Sequence, residues 1–224
     1  MGMETANQIT DWISLLVIIG ALIASFISRS RKDLISIRIY IIASLIFNLI
    51  AKISDYYSKN TSYISIGEVS LNIFSLLEIF LLYYFLFKRI KSQKFRAIII
   101  FFLLIYYSAC IILWTFKKNS FYTFYPALFG IECFLLAVPC FFYINEILKS
   151  DMSINLNSDP NFIITCGILF YFSISAASYF SWYNLTLMAP KVLRILILSN
   201  SLFYAILFFS FMKAFICTIP KLKH

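Results

Sequence analysis

Leu76-Leu77-Glu78-Ile79-Phe80-Leu81-Leu82-Tyr83-Tyr84-Phe85 sets a single acid in an otherwise apolar run, and its reading decides the fold. The apolar stretch around it covers about residues 67–88, enough for one bilayer-spanning helix of roughly 20 residues. Six more stretches of this kind are found, at about 9–28, 34–54, 96–116, 121–147, 161–183 and 188–217. The whole chain agrees with this pattern. Of its 224 residues, 62% are hydrophobic and only 13% charged, and mean hydropathy is +0.88. Soluble domains carry about 25% charged residues, so this chain has too little polar surface to face water. The expected fold is all-α: a polytopic membrane protein in which residues 1–224 form one bundle of seven transmembrane helices. The first stretch is not expected to be a cleaved signal peptide, because Glu4 and Asp11 flank it in place of Lys or Arg.

Charge sets the expected orientation. Arg29, Arg31, Lys32, Lys88, Arg89, Lys91, Lys94, Arg96, Lys149, Lys213, Lys221 and Lys223 fall on one side; Lys52, Lys59, Lys117, Lys118, Lys191 and Arg194 fall on the other. Cytoplasmic loops are enriched in Lys and Arg, so the richer side is assigned to the cytoplasm. The amino terminus is then outside and the carboxyl terminus inside. The net charge of +9 follows from this topology, so no nucleic-acid partner is expected. The partners it implies are the bilayer, with its anionic headgroups, and a signalling protein in the cytoplasm or membrane. Lys88, Arg89, Lys91, Lys94 and Arg96 form the candidate contact loop for that protein. Cys110, Cys133, Cys140, Cys166 and Cys217 all fall in apolar segments, which argues against a disulfide framework.

Glu78 and Glu132 carry the most weight. Each lies about eleven residues from the outer end of its stretch, about 16 Å deep at 1.5 Å per residue. An ionised side chain there costs at least about 2.5–3.5 kcal/mol. Facing the bundle interior, pairing or protonation avoids that cost. Their contexts match, Glu78-Ile79-Phe80-Leu81-Leu82 against Glu132-Cys133-Phe134-Leu135-Leu136. The following stretches carry Ile105-Tyr106-Tyr107-Ser108 and Phe170-Tyr171-Phe172-Ser173. Helices 3–4 and 5–6 therefore read as a parallel duplication of one hairpin.

Asn48, Asn72, Arg194 and Asn200 fall in the outer half and complete a candidate cavity with the two glutamates as its floor. Two readings stay open for Arg194, a cavity lining and a side chain snorkelling to the headgroups. Arg38 is expected to snorkel inward. Pro139 inside helix 5 removes a backbone hydrogen bond, making it a candidate hinge. Tyr and Trp residues gathered at the outer ends read as an interfacial belt.

The only histidine is the terminal His224. This excludes internal His ligands for a catalytic metal and His-assisted nucleophiles, and no nucleotide-binding loop is present. The chain is expected to be non-enzymatic and to need neither metal nor cofactor.

The helix 3 run, Glu132 in helix 5, and Asp159-Pro160-Asn161-Phe162 leading to Gly167-Ile168-Leu169-Phe170-Tyr171-Phe172-Ser173 together resemble a group of seven-helix membrane proteins of Bacteroidota. Phe162 stands where that group often has Trp. The resemblance implies the seven-helix fold and no particular activity; the expected location is a bacterial cytoplasmic membrane. Two functions follow from the residues. One is a sensing, signalling or partner-binding module with a polar outer cavity. The other is a small proton- or cation-coupled transporter or channel, acting as a homo-oligomer and using the same glutamates.

Overall fold

The structure is a computed structural model that describes residues 3–28, 32–58, 66–116, 125–149, 156–188 and 190–218. These residues form seven α-helices and one 3-10 turn. The helices are α1 (Met3–Ile27), α2 (Ile35–Ser58), α3 (Ile66–Phe87), α4 (Gln93–Phe116), α5 (Pro126–Leu148), α6 (Pro160–Met188) and α7 (Pro190–Cys217); the turn, Lys32–Leu34, precedes α2. Three helices open on proline, whose fixed φ suits the first turn and whose missing N–H has no intrahelical partner there. At α6 the Asp159 carboxylate also accepts the Asn161 N–H at 3.1 Å. The turn before α4 is capped from outside, because Glu146 of α5 accepts the Lys91 and Ser92 N–H groups at 2.8 and 2.9 Å.

Six of the helices are long and apolar enough to cross a membrane, so the chain is an integral multi-pass membrane protein of the all-α class. The first helix differs from expectation: its apolar part, Trp12–Ile27, spans only about 24 Å against a hydrocarbon core of about 30 Å. The polar residues Thr10 and Asp11 close it early. Large apolar side chains such as Leu16, Phe26, Phe101, Phe134, Phe141 and Phe209 lie on the outside, as a lipid-facing surface requires.

Helix neighbours run α1–α2–α3–α5–α6–α7 and return from α7 to α1, a closed ring of six, with α4 packed outside against α3 and α5. Of α4 only Ile99, Tyr106 and Cys110 are buried. Their spacing of seven and four makes one narrow stripe. The α5–α6 hairpin is closely packed, whereas α3 and α4 touch sparsely; the two hairpins are thus not packed alike. At Gly167 a Cβ would fall 2.6 Å from Ser210 Cβ, so α6 and α7 approach there at a distance only glycine permits.

Pro139 lies inside α5, and the helix continues through it to Leu148. Proline cannot donate to the carbonyl four residues earlier, Leu135. The Tyr83 hydroxyl of α3 donates to that carbonyl at 2.8 Å. The freed acceptor is therefore tied across the helix interface.

Candidate functional site

The two glutamates meet. Glu78 and Glu132 are 8% and 1% exposed, on the contacting helices α3 and α5, and their carboxyls lie within hydrogen-bonding reach of each other. The helices are staggered to allow it. Glu78 follows the start of α3 by twelve residues, about 18 Å, and Glu132 follows the start of α5 by six, about 9 Å. The equal sequence depth expected for the pair was offset by Pro126, which opens α5, whereas the apolar run was read from residue 121; residues 121–124 lie outside the described residues.

Each acid has its own donors. The Tyr40 hydroxyl of α2 donates to Glu78 Oε1 at 2.6 Å. Ser75 of α3 donates to Glu132 Oε2, which also accepts from the Tyr106 hydroxyl at 3.3 Å. Ser75 and Tyr106 are joined in turn at 2.7 Å. Tyr40 is fixed by Phe74 and Phe208, which stack on it, and by the edge of Phe211. One acceptor is left over: Glu132 Oε1 is buried and no protein hydrogen bond reaches it. Two ionised carboxyls in contact are both acceptors, and are joined only by a proton held on one of them or by a donor placed between them.

The pair floors a cavity of about 210 Å³. Its polar lining includes Asn48, Asn200, Ser14, Ser201 and Lys52; its aromatic wall includes Phe47, Phe74, Phe129, Tyr171 and Tyr204. Lys52, near the end of α2, marks the mouth. Its ammonium lies 4.9 Å from the centre of the Trp12 ring. The amides are partly committed. Asn48 Nδ2 donates to the Ser44 carbonyl at 2.7 Å, while Asn200 Oδ1 accepts from Ser175 at 2.6 Å. Space, acids and amides therefore share one compartment at the end of the bundle where α2 finishes and α3 begins.

Not every expected residue belongs there. Asn72 is buried on α3 but does not line the cavity. Six residues separate it from Glu78, which turns it about 120° away on the helix. Leu71, seven residues before Glu78, lines the cavity in its place. Arg194 lies on α7 with its side chain outside the described residues. Arg38 donates to the Ser25 and Ser28 carbonyls at 2.6 and 3.3 Å, so it closes the end of α1.

The basic loop also divides. Arg89 is used internally, donating to Asn161 Oδ1 at 2.6 Å, the Phe85 carbonyl at 2.7 Å and the Asp33 carbonyl at 3.0 Å. Arg96 holds the Ile90 carbonyl at 2.7 Å. Lys88, Lys91 and Lys94 remain exposed.

Sequence reasoning missed Tyr40, Ser75 and Tyr106. A signal existed for Ser75: three residues before Glu78 on a helix is the same face. None existed for Tyr40, whose role depends on which helix lies beside α3. Comparison with known proteins finds no protein-family model, no curated protein and no solved structure that matches this chain.

Proposed function

We propose that the protein is a non-enzymatic membrane sensing or signalling module. A small ligand enters the cavity from one face of the membrane, and a partner reads the bound state at the other. In this reading α1 counts as a seventh span, the amino terminus is outside and the carboxyl terminus lies in the bacterial cytoplasm, following the excess of Lys and Arg. Lys88, Lys91 and Lys94 then offer the partner a basic cytoplasmic patch.

The observation that carries the reading is the one-sidedness of the cavity. It reaches Glu78 and Glu132 from the Lys52 end, while the opposite half is filled by Leu34, Ile37, Phe85, Leu86, Phe211 and Phe215, all within 1% of fully buried. A pocket open at one end and packed at the other suits a receptor; it does not suit a channel, which needs a continuous path, while a carrier opens to the second side only in another conformation. The alternative, a proton- or cation-coupled transporter using the same acids, draws support from their depth and burial.

Flux decides between them. Liposomes holding the wild-type chain are expected to pass protons, sodium and potassium no faster than empty liposomes. Flux above that background, lost in Glu78→Gln and Glu132→Gln, would overturn the sensing reading in favour of transport.

A further inference from the structure

We propose that the cavity floor is a binding site for a small organic ammonium ion, its N–H donors placed between Glu78 and the unpartnered Oε1 of Glu132 and its apolar body against the aromatic wall. The inference rests on the ligand-cavity reading above and names the ligand class.

The missing group at the floor is a donor, and two acids side by side favour one that carries positive charge. Glu132 Oε1 is buried and without a protein partner, and the neighbouring group is a second carboxyl. A neutral hydroxyl would supply one hydrogen bond and leave two acids facing each other. An ammonium supplies up to three donors from one atom, and its charge opposes the acids'. Charge-assisted hydrogen bonds of this kind are about twice as strong as neutral ones.

The wall selects an organic cation over an inorganic one. Phe74, Phe129, Tyr171 and Tyr204 border the same space as the acids, and aromatic faces attract alkylated ammonium groups. Zinc-type metal ions are served poorly here: among the described residues no group of three or more His, Cys, Asp or Glu side chains comes together. The volume of about 210 Å³ is below the range of about 300–1,000 Å³ typical of drug-sized ligands, so the ligand is small. Lys52 bears the opposing charge at the mouth. It is twelve residues along α2 from Tyr40, the donor to Glu78, which is about 18 Å of helix. Its place at the mouth, at the opposite end of the cavity from the acids, leaves the floor to the carboxylates.

Calorimetric titration of the full chain in lipid nanodiscs tests the proposal, with empty nanodiscs as blank. Three probes are compared near neutral pH: benzylammonium chloride, benzyl alcohol of the same shape without the charge, and sodium chloride. The expected result is saturable one-to-one binding of benzylammonium alone, weakened about 10- to 150-fold in Glu132→Gln, the loss equivalent to one hydrogen bond to a charged group. Equal binding of benzyl alcohol overturns the ammonium site while leaving the ligand cavity in place. Sodium competing benzylammonium away at equimolar concentration assigns the acids to an inorganic cation and overturns it too. No binding of any probe means that a shared proton already fills the gap, which is a third refutation. These three outcomes use the wild-type chain and stand even if Glu132→Gln does not fold. Flux in liposomes would overturn the sensing reading whatever benzylammonium does, so the two failures are distinguishable.

Discussion

Replacing Tyr83 by Phe removes one oxygen from the core and leaves the Leu135 carbonyl with no donor. In this chain that carbonyl has no helical alternative, because the residue four places on is Pro139. An unsatisfied buried polar group costs about 1–3 kcal/mol, while measured hydrogen bonds between membrane helices average about 0.6 and reach about 1.7 kcal/mol. Tyr83 is 2% exposed, so water does not replace the lost donor, and a cost of about 1–2 kcal/mol is expected. The cost depends on the proline. In Pro139→Ala the alanine N–H returns to Leu135, and Tyr83→Phe then costs close to nothing. The two substitutions should therefore couple by about 1–2 kcal/mol in a double-mutant cycle. Unfolding by sodium dodecyl sulfate in mixed micelles, followed by tryptophan fluorescence, measures all four species. Equal costs for Tyr83→Phe in the two backgrounds would refute the assignment of Tyr83 as the proline's substitute donor.

Two further expectations concern packing and topology. Gly167→Ala places a methyl group 2.6 Å from Ser210 Cβ, an atom fixed to the α7 backbone, and overpacking of this kind costs about 1–3 kcal/mol. Adding Ser210→Gly should recover most of the loss in the same micelle assay. Lys94→Cys, in a chain with Cys217→Ser, should react with a membrane-impermeant maleimide in inverted vesicles and stay unlabelled in right-side-out ones. The reverse pattern would invert the proposed orientation.

Much of the architecture was legible from local chemistry. Long apolar runs bounded by Lys, Arg, Pro and Asp located the helices, because a buried backbone must satisfy its own hydrogen bonds and does so most simply as helix. Asp159-Pro160 marked the start of α6, and its capping bond is present. The ends were less legible where polar and apolar residues mix. The α1 run was shortened at Thr10 and Asp11, and the α6 helix runs on to Met188 although its apolar span, Pro160–Trp182, ends where expected. The site was half legible. Glu78 and Glu132 were evident because an acid at such depth must be compensated, and Asn48 and Asn200 line the same cavity. Asn72 was misplaced because depth was weighed without helical phase.

From the sequence alone came the helical class, the membrane setting and the two acids that demand partners, since each follows from the cost of placing backbone or charge in hydrocarbon. Only tertiary structure decided who those partners are. Tyr40 and Tyr106 are remote in sequence from the acids they contact. The stagger of α3 against α5 brings together carboxyls that begin at different depths along their own helices. The leftover acceptor on Glu132 is likewise a property of the packed bundle, since whether a buried oxygen lacks a donor depends on every neighbour that surrounds it.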